Sequence, residues 1–287
     1  MKVSGFTFIR NGEIYGYPFV ESIKSALPVC DEFVVAIGKS EDSTRKKIEK
    51  IGDKKIRIID TIWNENQKTS GFVYAQQKMI AMYNCTGDWA FYLEGDEVLH
   101  EKDLDTIRAT MKENLNDDRI EALSFNYHHF YGNPQTEIYS PAWCRSGVRI
   151  VKNNLRVIAM DGLHFTIMDN AKKGRWPFGK KIDATIYHYG YVRSVEKLRE
   201  KIKTISKYWG HESDSYIYGN IDPTVLHDFK GTHPAIMKKW LDQEASAEFN
   251  LNPQYKITRR ERRHRLAMAM ERLFGFDFNK KHYKPIK

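Results

Sequence analysis

Residues 89–97 read Trp-Ala-Phe-Tyr-Leu-Glu-Gly-Asp-Glu, an apolar run that ends in three carboxylates around one glycine. The continuous apolar run at 89–93 predicts a short buried strand. Gly95 permits a tight turn and the close approach of a ligand. The stretch therefore predicts a strand that carries Glu94, Asp96 and Glu97 to the edge of a sheet, although an acidic turn that only ends a strand would have the same pattern.

Three further strands are predicted ahead of this one, separated by segments with helical spacing of apolar residues. The predicted strands lie at 3–9, 32–37 and 55–60, and the predicted helices at 17–27, 45–51 and 73–83. Such short alternation predicts an α/β fold with a mainly parallel sheet flanked by helices. Polar loops follow the four strands, at 10–12, 38–42, 63–66 and 94–97. Because ligands bind outside the carboxyl ends of parallel strands, we expect these loops to form one site.

The rest of the chain changes character. Its middle part is rich in β-branched and aromatic residues, which predicts strands at 122–127, 148–151, 155–158 and 184–189. Beyond residue 194 the patterns are helical, with predicted helices at 195–209, 234–248 and 256–274.

Composition favours one large globular domain, since 41% of the 287 residues are hydrophobic. Cys30, Cys85 and Cys144 are widely spaced, which argues against a disulfide framework and against a thiolate zinc site. No apolar run has transmembrane length, and no signal-peptide core is visible. The expected location is the cytoplasm. Peripheral contact with the inner face of a membrane, or the host cytoplasm for a phage-encoded protein, are variants of that expectation.

Charge is unevenly distributed around the net value of +9. Residues 1–143 contain 17 Lys and Arg against 22 Asp and Glu, whereas the remaining residues contain 29 against 15. A basic second half indicates an anionic ligand or surface, with a solvated basic face as the alternative.

The acidic stretch after the fourth strand suits a divalent cation. Carboxylate oxygens such as those of Glu94 and Asp96 are hard ligands that bind Mg²⁺ or Mn²⁺, with phosphate and water filling the remaining positions.

Five stretches, in order and with matching spacing, carry a resemblance to a known family. They are residues 6–12 (FTFIRNG), 18–22 (PFVES), 31–36 (DEFVVA), 40–45 (SEDSTR) and 92–97 (YLEGDE). Together they make about the first 100 residues resemble family 2 glycosyltransferases of the GT-A fold. The resemblance implies a Rossmann-like sheet, a nucleotide-sugar donor bound across the first strand ends, and a divalent metal, Mn²⁺ or Mg²⁺, held on the donor diphosphate by an Asp-x-Asp motif.

The resemblance also implies roles for individual residues. Glu94-Gly95-Asp96 matches the acidic motif with Glu in place of its first Asp, which implies Asp96 as a metal ligand and Glu94 as its partner toward metal or sugar. Members of this fold commonly recruit a later histidine as a further metal ligand, for which His188 is the candidate, with a hydrogen-bonded core histidine as the alternative. The residues implied in sugar-donor binding are Arg10, Asn11, Glu41, Asp42, Gln76, Lys78, Glu94 and Gly95.

An inverting transferase needs a carboxylate that takes the proton of the acceptor hydroxyl. Asp161 and Asp183 are the candidates. Asp161 is preferred because Gly162 and His164 indicate a loop facing the site, whereas Asp183 stands near the start of a predicted strand.

Several later residues are candidates for acceptor or phosphate binding. Lys230 and His233 lie in the loop FKGTHP at 229–234, for which a capped turn is the alternative. The last helix carries Arg259, Arg260, Arg262 and Arg263, which suit anionic lipid headgroups or nucleic-acid phosphates. The same helix has an apolar face that we expect to pack on the protein body, formed by Leu266, Met270, Leu273 and Phe274. Candidate aromatic stacking surfaces are Trp209, Tyr216, Tyr218, Trp240 and residues 127–131.

These observations predict three parts: a sugar-donor part at 1–120, an acceptor-side part of the same domain at 121–193, and a helical basic extension at 194–287. The expected function is a metal-dependent, inverting hexosyl- or pentosyltransferase. Its acceptor is either a bacterial surface or lipid-linked saccharide, or a hydroxymethylated base in DNA, as in phage-type DNA modification. The alternatives are a metal-dependent nuclease or phosphotransferase, which lacks support from a phosphate-binding Gly-rich loop, and a non-catalytic nucleic-acid-binding protein.

Overall fold

A computed structural model describes residues 1–210, 219–244, 250–275 and 277–286. The strands are β1 Val3–Ile9, β2 Glu32–Gly38, β3 Ile56–Thr61, β4 Trp89–Tyr92, β5 Glu97–Leu99, β6 Ala122–Tyr131, β7 Asn133–Ile138, β8 Ser146–Lys152, β9 Val157–Ile158, β10 Thr166–Met168, β11 Gly174–Arg175, β12 Phe178–Tyr191, β13 Leu226–Asp228 and β14 Lys284–Pro285. The helices are α1 Phe19–Ala26, α2 Thr44–Glu49, α3 Phe72–Tyr83, α4 Leu104–Glu113, α5 Val195–Trp209, α6 Lys238–Glu244 and α7 Arg259–Phe274.

The first four strands form a parallel sheet in the order β3-β2-β1-β4. Phe6 on β1 lies opposite Val34 on one neighbour and Tyr92 on the other. Parallel order places all four carboxyl ends at one edge. The predicted α/β class with helices flanking a parallel sheet is confirmed for this part of the chain.

The second half extends this sheet with mixed pairing. β4 pairs antiparallel with β8, β8 pairs antiparallel with β6, and β6 pairs parallel with the long strand β12. β5 pairs antiparallel with β12, which puts His188 opposite Glu97. The acidic stretch that opens the sequence analysis therefore lies directly beside the strand with the predicted histidine.

Side chains of the parallel strands alternate between two apolar layers. Phe33 and Val35 of β2 face the layer that contains Ile23 of α1 and Ile107 of α4. Val34 of the same strand faces the opposite layer, with α3. Burial on both faces explains why β2 is an unbroken apolar run, and it fixes the strand ends in place.

The helical end of the chain differs in detail from the prediction. α7 begins at Arg259 because Thr258 caps it: the Thr258 side chain accepts from the Glu261 backbone N–H, and the Glu261 carboxylate accepts from the Thr258 backbone N–H. The predicted helix 234–248 is a 3₁₀ turn at 235–237 followed by α6. The end of that prediction, at 245–248, and the candidate stacking residues Tyr216 and Tyr218 lie outside the described residues.

The apolar face of α7 does not pack on the protein body as expected. Leu266 is 64% exposed, Leu273 76% and Phe274 63%, and Met268 is the buried residue of this helix. Leu266, Leu273 and Phe274 therefore form an exposed apolar stripe on α7, here called the α7 stripe. Among the described helices, none is long and apolar enough to cross a bilayer.

Candidate functional site

A cavity of about 660 Å³ opens at the carboxyl ends of the parallel strands. Each predicted loop contributes to its wall: Arg10 and Asn11 follow β1, Glu41 follows β2, and Glu65 follows β3. Residues 94–97, after β4, form part of the same wall. The four polar strand ends predicted from the sequence are thus brought together, and the opposite wall comes from β6, β8, β12 and α5.

Asp96 lies in the wall of the cavity and is 3% exposed. Its Oδ2 accepts a hydrogen bond from Lys201 Nζ at 2.9 Å, and Arg193 NH2 lies 3.7 Å from the same oxygen. Burial alone would raise the pKa of Asp96, but Lys201, His188 and Arg193 outweigh it and hold that pKa well below its usual range. Asp96 is therefore a permanently ionised carboxylate between two cations.

Lys201 comes from the middle of α5, and its Nζ also donates to the Gly190 carbonyl at 3.0 Å. Burial and the neighbouring Arg193 lower the pKa of Lys201 to about 8, against the opposing effect of Asp96. The amine remains mainly an ammonium at pH 7.

His188 is neutral, and its hydrogen bonds fix its tautomer. His129 Nε2 lies 2.6 Å from the Cys144 carbonyl, which can only accept, so His129 donates there. His129 Nδ1 must then accept from His188 Nδ1–H, at 2.9 Å. Burial lowers the pKa of His129 to about 3 and that of His188 to about 4, so neither ring is charged at neutral pH. His188 Nε2 consequently presents a lone pair, 3.7 Å from Asp96 Oδ1.

Glu94 and Glu97 share one cation, Arg149 of β8. Arg149 donates through Nε and NH2 to Glu97, at 2.8 and 2.6 Å, and through NH2 to Glu94 Oε1 at 2.7 Å. Tyr127 OH also donates to Glu97, which is 1% exposed. The Glu94 side chain is 24% exposed, and burial together with the charge of Glu97 raises its pKa to about 8 despite Arg149.

The predicted metal ligands Asp96, Glu94 and His188 all line the cavity, but their arrangement does not fit a three-ligand metal centre. Glu94 is held by Arg149, and Asp96 is already neutralised by Lys201. In the part of the chain that the structure describes, no group of three or more His, Cys, Asp or Glu side chains is placed to hold a metal ion. The positive charge beside Asp96 is the ammonium of Lys201, a side chain of the protein.

The residues predicted to bind the sugar donor at the first two strand ends have separate tasks. Arg10 and Glu41 line the cavity, and Arg10 NH1 donates to Glu65 at 2.5 Å. Asn11 has a left-handed backbone, and its Oδ1 accepts from the Glu41 N–H. Asp42 does not line the cavity, because its carboxylate accepts from the backbone N–H groups of residues 13, 14 and 44 and so ties the two loops together.

Two predicted residues on α3 do not reach the cavity wall. Lys78 is completely buried, with Nζ 3.7 Å from the ring centre of Phe165 and 3.3 Å from the Gly162 carbonyl. Burial lowers its pKa well below its usual value. Gln76 is half-buried on the same helix and is not part of the wall.

Neither candidate base lines the cavity. Asp161 accepts from the backbone N–H groups of Leu163 and His164 and from His164 Nδ1, and these bonds outweigh burial and lower its pKa to about 2. Asp183 is exposed near the start of β12, five residues before His188. Asp161 organises a loop whose residues Gly162 and Leu163 do reach the wall.

The predicted acceptor residues also lie elsewhere. His233 Nδ1 is 2.9 Å from Tyr189 OH, and its ring packs on Phe130 and Phe229 in an apolar cluster on the other side of β12. Lys230 is exposed in the same loop. The four α7 arginines, Arg259, Arg260, Arg262 and Arg263, lie on the exposed surface of that helix and are absent from the cavity wall.

Sequence reasoning missed Arg149 and Lys201. Arg149 had a signal, since it interrupts the apolar residues 148–151 of a predicted strand, and a charge there must be buried with partners. Lys201 had none, because α5 contains several lysines and its sequence does not distinguish the buried one. The sequence also gave no reason to group Trp63, Tyr74 and Tyr208, whose rings lie edge to face along one end of the cavity.

Comparisons with known proteins give partial likenesses to solved structures. Staphylococcus aureus TarS (residues 1–349) is 18% identical over 53% of this chain and 47% of its own, with a TM-score of 0.36. The full-length TarS structure is 16% identical over 71% of this chain and 39% of its own, with a TM-score of 0.39. Glucosyl-3-phosphoglycerate synthase from Mycobacterium tuberculosis, in complex with Mn²⁺, UDP and phosphoglyceric acid, is 15% identical over 44% of this chain and 43% of its own, with a TM-score of 0.31.

The chain thus spans less than half the length of these proteins. No family model matches the chain, and no curated protein matches it.

Proposed function

We propose that the protein is a glycosyltransferase that moves a sugar from a nucleoside diphosphate sugar to an acceptor hydroxyl. The observation that supports this most is a single cavity, at the ends of four parallel strands, that combines an aromatic end, a buried cation and carboxylates of different acidity. Each feature suits one part of the reaction: the base of the sugar donor, its diphosphate, and its anomeric carbon with the attacking hydroxyl of the acceptor. The sequence resemblance to family 2 glycosyltransferases points the same way.

The aromatic end suits the nucleobase. Trp63, Tyr74 and Tyr208 supply flat apolar surfaces for stacking. Trp63 Nε1 is buried and has no hydrogen-bond partner among the described residues. Arg10 lies over the Trp63 ring at 5.5 Å, between this end and the strand-end loops.

The chemistry needs a proton acceptor, for which we propose Glu94. As the acceptor oxygen forms its bond to the anomeric carbon, the bond from that carbon to the diphosphate oxygen breaks, and the hydroxyl proton passes to a carboxylate. All three carboxylates contact a cation, but Asp96 and Glu97 are nearly buried, whereas Glu94 is partly exposed to the cavity and has a raised pKa. No step passes through the predicted metal ion, because the described ligand set does not fit one.

A panel of nucleoside diphosphate sugars, scored for sugar-donor hydrolysis and transfer, tests this proposal. We expect turnover of at least one sugar donor, a loss of about 100-fold or more in kcat for Glu94→Gln, and little change for Asp183→Asn, the exposed control. Absence of turnover and of nucleotide binding across the panel would sink the proposal. Equal losses in the two variants would sink the role of Glu94.

For the acceptor, we propose a saccharide on an anionic membrane surface, and the α7 stripe supports this. Leu266, Leu273 and Phe274 are exposed on a helix whose first turns carry four arginines. Arginines beside exposed Leu and Phe suit the headgroup boundary of an anionic bilayer. Phosphate contacts to DNA would use the arginines but leave the apolar stripe in water.

Vesicle flotation separates the two acceptors. We expect binding to vesicles with anionic lipid, weak binding to neutral ones, and loss of binding in Leu273→Ser/Phe274→Ser. Tyr83→Ser, which changes an exposed residue of α3, is the control. Vesicle binding that survives the double substitution would refute the membrane proposal, and so would tight, steeply salt-dependent binding to duplex DNA without vesicle binding.

We further propose that the parts predicted at 1–120, 121–193 and 194–287 correspond to sugar-donor binding, acceptor binding and surface attachment. Six residues of the third part, all on α5, line the cavity as well: Lys201, Thr204, Ile205, Lys207, Tyr208 and Trp209.

A further inference from the structure

We propose that the buried Lys78 is a positioning residue that fixes the turn at 161–164, so that Leu163 contacts the transferred sugar and helps to select it. The inference rests on the proposed function and adds a specificity contact to the cavity. Its basis is the set of hydrogen bonds around this turn, in which Leu163 lines the cavity and Lys78 lies outside the cavity wall.

Lys78 bonds to the backbone of the turn from α3. Its Nζ donates to the Gly162 carbonyl at 3.3 Å and to the His164 carbonyl at 3.4 Å. The same nitrogen lies 3.7 Å from the ring centre of Phe165 and 4.2 Å from that of Tyr92. In the described part of the chain, no carboxylate forms an ion pair with Lys78, so the two carbonyls are its hydrogen-bonding partners.

A lysine at this position is informative because it is fully buried. A buried amine is costly compared with an apolar side chain of similar length unless its N–H groups are bonded. The ammonium and the neutral amine can both donate to two carbonyls, so these bonds do not depend on the protonation state of Lys78. The turn is therefore what the buried amine stabilises.

Two further side chains hold the same turn. Arg149 NH1 donates to the Leu163 carbonyl at 3.1 Å, and this carbonyl lies between the two that bond to Lys78. The Asp161 carboxylate accepts from the backbone N–H groups of Leu163 and His164, at 2.8 and 2.7 Å. The turn belongs to neither β9 nor β10, which flank it, and yet side chains from three places fix its backbone.

The fixed turn presents Leu163, which is 42% exposed and lines the cavity. Arg149 NH2 donates to Glu94 Oε1 at 2.7 Å, so Leu163 is tied to the same guanidinium as the proposed proton acceptor. On the other side, a Cβ at Gly162 would lie 3.1 Å from Tyr74 Cβ. The turn thus extends from the aromatic end proposed for the nucleobase to the carboxylate proposed at the anomeric carbon.

The transferred sugar carries the anomeric carbon, so it must lie beside Glu94 during the reaction. Leu163 can contact the C–H groups of a sugar ring but cannot bond to a hydroxyl. An apolar contact of this kind discriminates between ligands by about tenfold or more for each methylene gained or lost. Lys78 does not reach the sugar and acts through the turn.

Calorimetric binding of nucleoside diphosphate sugars, each compared with its own nucleoside diphosphate, tests the inference. The probes are UDP-glucose with UDP, GDP-mannose with GDP, and dTDP-glucose with dTDP. For the pair that binds, Leu163→Ala should weaken the sugar donor by about tenfold and change the Kd of the diphosphate by less than about twofold, because the diphosphate lacks the sugar. Met160→Ala is the matched control, since Met160 is 61% exposed beside the turn and does not line the cavity.

Lys78→Met tests the positioning role, because methionine fills the space between the two rings and donates nothing to the turn. We expect it to weaken the sugar donor by about three- to tenfold and to leave the diphosphate within about twofold. In Lys78→Met/Leu163→Ala, the loss should be no larger than in Leu163→Ala alone, because Lys78 acts through Leu163. A general loss of structure would weaken the sugar donor and the diphosphate alike.

Leu163→Ala changes an exposed side chain, so its result does not depend on how well the Lys78 variant folds. Equal weakening of sugar donor and diphosphate in Leu163→Ala, or no weakening of either, would overturn the inference and leave the proposed function standing. Additive losses in the double variant would overturn the positioning role of Lys78. If the unaltered protein binds none of the three pairs, the proposed function falls and the inference falls with it.

Discussion

Glu94 and Asp96 are two residues apart in one turn, yet their surroundings are opposite. Asp96 faces β12 and α5, where Lys201 and Arg193 both lie beside its carboxylate. Glu94 faces β8, where one cation, Arg149, serves two carboxylates. Asp96 is therefore held ionised, whereas Glu94 retains a proton into the neutral range. Both residues carry a carboxyl group, but Asp96 is a fixed anion and Glu94 exchanges a proton, because different elements of the second half of the chain pack against each.

The two carboxylates also differ in what they can do in a reaction. On the Asp96 side, Lys201 and Arg193 hold the carboxylate ionised. On the Glu94 side, two carboxylates share the single guanidinium of Arg149, and burial together with the charge of Glu97 raises the pKa of Glu94. A general base must take up and release a proton near neutral pH, and a raised pKa allows Glu94 to do so.

The largest effect is expected from removing the cation of the Glu94 side. Arg149→Met would leave Glu97 and Glu94 without their shared partner, and uncompensated buried charge typically costs about 3–5 kcal/mol. The free energy of unfolding, from urea titration at pH 7.5, measures this. Arg119→Met is the matched control, because the Arg119 side chain is 77% exposed and its ion pair among the described residues is with the neighbouring Asp117. Similar midpoints for the two variants would mean that Arg149 is not the charge that holds this turn.

Removing the cation of the Asp96 side should cost less. Lys201→Met leaves Asp96 with Arg193 at 3.7 Å, so one compensating charge remains. We expect a loss of about 1–3 kcal/mol in the free energy of unfolding, smaller than for Arg149→Met. The same urea titration measures it. A larger loss for Lys201→Met than for Arg149→Met would contradict the inference that Asp96 keeps a compensating charge, at Arg193, when its lysine is removed.

The pH dependence of stability distinguishes the two carboxylates with opposite signs. Between its ordinary pKa near 4.5 and about 8, Glu94 is protonated in the folded protein and ionised in the unfolded one, so stability falls as pH rises through this window. Glu94→Gln removes that fall, and its stability relative to the unaltered protein should rise by about 1–3 kcal/mol between pH 4.5 and 8.5. Asp96 has a lowered pKa, so its contribution is present above about pH 3.8 and is lost on acidification.

Unfolding titrations of both variants at several pH values check this. For Asp96→Asn, the deficit relative to the unaltered protein should shrink as the pH falls below 4. A constant difference between Glu94→Gln and the unaltered protein over pH 4.5–8.5 would show that the Glu94 side does not retain a proton.

The sequence predicted what depends on local pattern. The apolar runs ended where the strands end, so the turn at residues 94–97 and the loops at Arg10 and Glu41 were placed at one edge correctly. The sequence could not predict which side chains from distant elements contact the site residues. Lys201 is 105 residues from Asp96, and nothing in a lysine-rich helix marks the residue that turns inward. Sequence alone could not show, for a related reason, that Asp161 lies outside the cavity wall. An Asp that accepts hydrogen bonds from its own loop has the same sequence signature as an Asp that faces a substrate.

Asp161→Asn gives the smallest expected effect. It distinguishes an Asp161 that organises its own loop from an Asp161 that acts as the catalytic base. The Asp161 loop supplies the Leu163 carbonyl that accepts from Arg149 NH1 at 3.1 Å, so the substitution loosens the Glu94 side only indirectly. Losing the charge-assisted bonds to His164 and Leu163 should cost about 0.5–1.5 kcal/mol in unfolding free energy, with most of the transfer rate retained. Unfolding titration and initial rates measured side by side test this. A kcat lowered 100-fold at unchanged stability would restore Asp161 as the base, and Glu94 would then have to act on the sugar instead of on the proton.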